Sequence, residues 1–257
     1  MRSHSFASLT GDLARMDLCR KDPVMIHSSM KKIGPVEGGA ETVLDVFQNF
    51  WADGLLVLPA FSYENLLLQP GRKIFDRENT PCCVGILAEL FRKRDGVKRS
   101  LHPTHSLAAW GQKALSFTAD HEKYNTAFHE NGPFGKLLQW DAKILLAGVT
   151  LTNCTFLHAL EEWAGVDLLS RKPLELYIRD ENAMEFPRSV YWHKGAHSEM
   201  FDRALGILKA GGALQHVILG SAESLLLDCR KSREILLPLL QENPDFFFNP
   251  ACPPQEE

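Results

Sequence analysis

"PVMIHSSMKKIGPVEGGAETVLDVFQNFWADGLLVLP", Pro23 to Pro59, is the stretch on which the fold turns. It opens with a short apolar run ending in His27, Ser28 and Ser29, continues through a Gly/Pro loop, and then places Val43, Leu44, Phe47 and Phe50 at three-to-four spacing. That spacing predicts a helix from about Glu41 with one buried side. "DGLLVLPAF" follows as a second apolar run. Strand, loop, helix and strand make a βαβ unit, and strands apolar throughout belong to a sheet covered on both faces.

Outward from this unit the same grammar repeats. Upstream, "SLTGDLARMDLCRKD" predicts a short helix capped by Ser8 or Thr10, with Leu9, Leu13 and Met16 on one side. Downstream, residues 62–80 lose periodicity and read as one long loop, and "VGILAELFRKRDG" predicts a helix stopped at Gly96. A strand is expected from Ser106, another at "KILLAGV", and a helix in "TNCTFLHALEEW" with Asn153 or Thr155 as cap. "LELYIRDENAMEFPRSVYW" alternates like strands, "EMFDRALGILKAGG" predicts a helix ended by Gly211 and Gly212, and the remainder reads as strand, turn, strand and helix. One α/β domain over residues 1–248 is expected, with a disordered tail at 249–257.

Composition narrows the function classes. The chain has 257 residues, is 45% hydrophobic and 23% charged, and carries a formal charge of -4, which gives no general affinity for polyanions. Neither nucleic acid nor membrane is expected as a partner. The cysteines at 19, 82, 83, 154, 229 and 252 form no C-x-x-C pair, which disfavours a zinc ribbon or disulfide scaffold and fits a cytoplasmic location.

Three stretches could carry chemistry. Ser28 and Ser29 end a strand just before a glycine loop, a position read either as a turn with a helix cap or as a corner that binds phosphate oxygens. "FRKRDGVKRSLHPTHS" concentrates Arg92, Lys93, Arg94, Lys98 and Arg99 beside Ser100 and Ser106, read either as a solvated helix end or as a partner for a phosphorylated ligand. His102 and His105 there are weak metal candidates, because no acidic or cysteine partner is adjacent. In the third stretch, His158 and Glu161 are one helical turn apart, so the carboxylate can hold the imidazole in one tautomer and make it a base. Satisfied core packing is the competing reading. Cys154, four residues before His158, reads as a small buried hydrophobe.

Five collinear segments, "MIHSSMKKIGPVEGGAETVLD", "NTPCCVGILAELFRKRDGVKRSLHPTHSLAAWG", "ENGPFGKL", "ILLAGVTLTNCTFLHALEEWAG" and "LGSAESLLLDCRKSREIL", resemble the aminoglycoside 3-N-acetyltransferase family, which is distinct from the GNAT acetyltransferases. The likeness covers roughly residues 22 to 240. It implies an α/β/α sandwich on a mixed central sheet, acetyl-CoA as co-substrate without a metal, and direct transfer of acetyl to a small-molecule amine. The chain is expected to act as a monomer or homodimer. By matching positions the resemblance implies His158 as catalytic base, Glu161 as its partner, and Thr155 as a hydroxyl near the thioester. It implies Ser28, Ser29 and Met30 along the pantetheine and pyrophosphate, and Arg99, Ser100 and Ser106 near phosphates or the adjoining chain.

The resemblance departs at the acceptor side, where Thr152 stands in the position at which aminoglycoside-modifying members commonly carry aspartate. Asp76, Glu78, Glu130 and Glu162 are the remaining candidates to hold a cationic sugar. Two alternatives stay open: a metal-dependent amidohydrolase using His102, His105 and His158, and a CoA-binding relative without aminoglycoside activity.

Overall fold

Successive residues of a strand point to opposite faces of its sheet, and Val24-Met25-Ile26 makes both faces apolar. Val24 and Ile26 enter one buried cluster and Met25 another, all at 0% exposure. The computed structural model describes residues 3–193 and 198–248. In chain order the strands among them are β1 Pro23–Ser28, β2 Leu55–Pro59, β3 Ile74–Asp76, β4 Lys98–Arg99, β5 Leu107–Gly111, β6 Lys143–Ala147, β7 Leu174–Arg179, β8 Glu185–Val190, β9 Leu214–Leu219 and β10 Ala222–Asp228.

Seven of them form a mixed sheet in the order β4-β5-β2-β1-β6-β10-β9. β1 runs parallel to both neighbours, with Met25 opposite Val57 of β2 and Ile144 of β6. β5 and β10 extend this parallel centre antiparallel, on the β2 and β6 sides respectively. Helices Phe6–Ala14, Gly39–Phe50 and Ile86–Phe91 cover the face that holds Val24, Ile26, Leu56 and Leu145. Helices Pro133–Gln139, Phe156–Trp163, Leu205–Ala210 and Cys229–Glu242 cover the face that holds Met25, Val57 and Ile144. The α/β/α layering on a mixed sheet is as expected.

A second sheet, β3-β7-β8, has its own small core of Leu66, Phe75, Leu176, Ile178 and Val190. It corrects the reading of residues 62–80 as one loop, because that segment contains the helix Tyr63–Leu67 as well as β3. Phe75 and Leu66 are buried against strands a hundred residues downstream, so no local period announces them.

Other departures are local. Ser5, not Ser8 or Thr10, caps the first helix, because Ser8 is the third-position partner in a reciprocal capping box: the Ser8 amide donates to Ser5 Oγ and the Ser5 amide donates to Ser8 Oγ. The basic helix stops at Phe91, and Arg94 instead reaches across to Glu41, Asp45 and Gln48 of the neighbouring helix. "EMFDRALGILKAGG" divides into a 3-10 segment, Ser198–Ala204, and a helix, Leu205–Ala210. The expected disordered tail lies outside the described residues. Among those residues no helix is long and apolar enough to cross a membrane.

Candidate active site

The chain leaves β1 toward β2 and later returns to β6 on the other side of β1, so a crevice forms outside the carboxyl ends of three parallel strands. A cavity of about 430 Å3 opens there, taking His27 and Ser28 from β1, Pro59 from β2 and Val149 just beyond β6. Gly148 lets the β6 exit pass close to its neighbours. It has φ 72°, and a Cβ at this position would stand 2.6 Å from Lys32 Cβ and 3.1 Å from Ala222 Cβ. The turn Leu151–Asn153 follows, with the Thr152 amide bonded to Thr150 Oγ1, and it delivers Thr152, Asn153 and Thr155 to the cavity wall. Thr155 occupies the cap position of the helix Phe156–Trp163, already in helical conformation and with no capping bond from its hydroxyl.

His158 is the third residue of that helix and lies on the cavity wall, with its Nδ1 2.9 Å from Glu161 Oε2. An ionised carboxylate only accepts, so Nδ1 carries the proton and Nε2 is left with the lone pair, the tautomer a base requires. Glu161 is 1% exposed, held beneath the ring by one turn of helix.

Glu162, the next residue, serves a different histidine. Its Oε1 accepts from Thr126 Oγ1 at 2.5 Å, and its Oε2 stands 3.5 Å from His193 Nε2. Burial pushes the Glu162 carboxyl above its ordinary range, opposed by the Thr126 hydrogen bond. The His193 and His158 rings meet edge to face at 4.8 Å, with Phe201 4.7 Å from His158. Trp163 Nε1 donates to the carbonyl of Phe128 at 2.7 Å, fixing the loop whose ring packs on both histidines.

The second sheet closes the site. Trp192 and His193 follow β8, where the Ser170 amide donates to the Trp192 carbonyl at 2.8 Å and His193 bridges to Leu169. Phe61, Tyr63 and Val84 come from the segments flanking β3, and His105 stacks on Tyr63 at 5.5 Å. Burial lowers His27 to about 4 and holds His105 well below the usual imidazole value, so both are neutral near pH 7.

Several expected roles are not matched by position. Of the β1 residues, Ser28 lines the cavity, whereas Ser29 is at the cap position of the short helix Met30–Ile33 and Met30 packs against the core on the other face. Arg99, Ser100 and Ser106 are turned inward. Arg99 Nε donates to Ser106 Oγ, and its other nitrogens donate to the carbonyls of Ala60, Arg77 and Thr80. Ser100 Oγ bonds His121 Nδ1 at 2.8 Å and accepts the Leu107 amide. With exposures of 4%, 1% and 0%, these three hold the sheet edge together, and none of them is on the wall of the His158 cavity. Arg92, Lys93, Lys98 and Arg99 border a second cavity of about 400 Å3, with Arg77, Glu78 and Glu181.

Of the acids proposed to hold a cationic acceptor, Asp76 is tied to Arg179 and Asn79, Glu78 and Glu130 are exposed, and none of the four is on the wall of the His158 cavity. The histidine trio of the amidohydrolase reading does not assemble, since His102 is 1% exposed and sits behind His105 and His121. A different trio does come together: one donor atom each of His158, Glu161 and His193 lie within 4.8 Å of one another, a spacing that could hold a metal ion. Cys154 is fully buried and its thiol is pushed up to about 12, consistent with a packing role.

His27, Phe128, Trp192, His193 and Phe201 are site residues that sequence reasoning missed. Trp192 and His193 gave the clearest available signal, an aromatic and a titratable residue at the end of an alternating strand.

The chain is similar to several known proteins. The SPbeta prophage-derived aminoglycoside N(3')-acetyltransferase-like protein YokD of Bacillus subtilis (strain 168) is 29% identical over 173 residues, 60% of this chain and 63% of that protein. Aminoglycoside N(3)-acetyltransferase III of a Salmonella species is 28% identical over 178 residues, 63% of this chain and 62% of that protein. The matched part therefore spans under two thirds of these curated relatives' length. A solved structure described as AAC-IIIb binary with CoASH superposes with a TM-score of 0.82 at 25% identity, covering 94% of this chain and 97% of that one. A profile of the aminoglycoside 3-N-acetyltransferase family matches residues 25–241, and the chain belongs to that family.

Proposed function

We propose that the protein transfers the acetyl group of acetyl-CoA to a primary amine of a small molecule, with His158 as general base. The observation that carries this reading is the His158–Glu161 hydrogen bond of 2.9 Å on the wall of a cavity at the carboxyl ends of the parallel strands. An aminoglycoside amine is the acceptor class named for the relatives, and AAC-IIIb with CoASH supports the donor.

An alkyl ammonium has a pKa of about 10, so near pH 7 the attacking nitrogen must lose protons before or during attack. In the proposed step the ammonium first releases one proton to solvent, and the neutral amine nitrogen then bonds to the thioester carbonyl carbon while His158 Nε2 takes a second proton from it. Glu161 stabilises the resulting imidazolium through Nδ1. The tetrahedral oxyanion requires donors, a role assigned to Thr155 Oγ1 and amides of the 150–155 turn. The C–S bond then breaks, and CoA leaves as the thiol with the proton from His158. Val84, Val149 and Pro59 give the pantetheine arm an apolar wall.

The test pairs thiol release from acetyl-CoA, across a panel of amines that includes gentamicin, with thermal melting. Acetyl-CoA at a hundred times its Kd should stabilise the protein by about 2.7 kcal/mol. No melting shift at millimolar acetyl-CoA contradicts the reading. Chelation separates it from metal chemistry at His158, Glu161 and His193: turnover is expected to survive EDTA, and its loss with recovery on adding zinc would transfer the reaction to a metal.

A further inference from the structure

Two features of the cavity bear on which amine enters. Its wall is aromatic on several sides, with Phe61, Tyr63, Phe128, Trp192 and Phe201 contributed by four separate segments of chain. Among the described residues none of the wall positions is a carboxylate. Glu161 lies behind His158 and Glu162 is engaged by Thr126 and His193, both largely enclosed. Glu64 and Glu199, one residue along from wall residues Tyr63 and Ser198, are exposed at the surface. Residues 194–197 add no acid, being Lys-Gly-Ala-His in sequence.

None of the polar groups that do face the cavity is a carboxylate. They belong to Ser28, Tyr63, Thr152, Asn153, Thr155, Trp192 and Ser198, and to the histidines His27, His105, His158 and His193. A ligand with several ammonium groups would surrender their hydration here without ion partners, which is unfavourable for each charge desolvated and left unpaired. It would also lack the negative field that draws a polycation into a cleft. An aromatic or aliphatic body, by contrast, gains contact area against rings already fixed in place, and one ammonium can rest on an aromatic face until it gives up its proton.

We infer that the acceptor selected by this site is a primary amine with an aromatic or apolar body and at most one positive charge, in preference to a polycationic aminoglycoside. The inference rests on the acetyl-transfer reading above and narrows it to a substrate class.

The test measures kcat/KM for thiol release with 2-phenylethylamine and tryptamine against gentamicin and spermidine, with acetyl-CoA saturating. At least one arylalkylamine is expected to exceed both polycations by about a hundredfold or more. Asn153→Asp, which puts a carboxylate on the wall at constant shape, is expected to raise kcat/KM for gentamicin about tenfold relative to the arylalkylamine. Gentamicin turned over as well as or better than the arylalkylamines overturns the inference and leaves acetyl transfer standing. No turnover of any amine, with no melting shift from acetyl-CoA, removes the transfer reading itself and the inference with it.

Discussion

At the scale of single residues, the helix Phe156–Trp163 does two jobs with adjacent glutamates. Glu161 orients His158 and Glu162 faces His193, so a two-residue acidic pair on one helix serves two imidazoles whose rings touch. The His158–Glu161 spacing was legible in the sequence because it is local. The His193–Glu162 approach was not, because it joins positions 31 apart that only the second sheet brings together. Arg99 has contacts that its sequence neighbours did not announce. Its charge and neighbouring serines suggested a phosphate contact, yet its guanidinium is spent on a serine hydroxyl and three backbone carbonyls, and burial lowers it to about 9. Arg99→Ala is therefore expected to lower stability by about 3 kcal/mol in urea unfolding, because it orphans several buried acceptors at once. The stabilisation conferred by acetyl-CoA should be unchanged. A normal unfolding midpoint with a lost acetyl-CoA shift would return Arg99 to the phosphates.

At the scale of elements, the parallel centre was readable from Pro23–Pro59 alone, since continuous apolar strands and an amphipathic helix leave few alternatives. β3 and the helix Tyr63–Leu67 were hidden because three- and five-residue elements carry no period of their own. Such short pieces are specified by distant partners, here Phe75 and Leu66 beneath β7 and β8. The joint between β6 and the helix Phe156–Trp163 depends on Gly148, whose left-handed backbone and close approach to Lys32 leave no room for a side chain. Gly148→Ala is expected to cost about 2 kcal/mol, combining the left-handed penalty with the Lys32 contact. It should also reduce kcat, because the displaced turn carries Thr152, Asn153 and Thr155. Wild-type stability and turnover in this variant would show that the turn's position is immaterial.

At the scale of the whole molecule, buried histidines tie stability to pH. Burial holds His27 and His121 at about 4, and His102 and His105 well below their ordinary 6.5. His121 is kept neutral by geometry as well: its Nε2 donates to the Ala127 carbonyl, so Nδ1 accepts from the Ser100 hydroxyl. The unfolded chain takes up these protons first as pH falls. Their contribution is thus complete above pH 6.5 and is withdrawn as pH drops from about 6.5 toward about 4, by up to about 1.4 kcal/mol per pH unit for each histidine. Urea midpoints should decline steadily between pH 7 and pH 5, and a flat profile over that interval contradicts the buried neutral state. None of this was visible in sequence, where His102 and His105 were weak metal candidates and His27 was noted only as the end of a strand.

The most direct measurement concerns His158 itself. Steady-state turnover of His158→Ala is to be compared with wild type at saturating acetyl-CoA and amine, alongside the melting shift each shows with acetyl-CoA. A fall in kcat of about 10²–10⁴-fold with the melting shift intact is the expected result for loss of a general base. Undiminished turnover by the variant would contradict it, and the proton would have to leave the amine by another route.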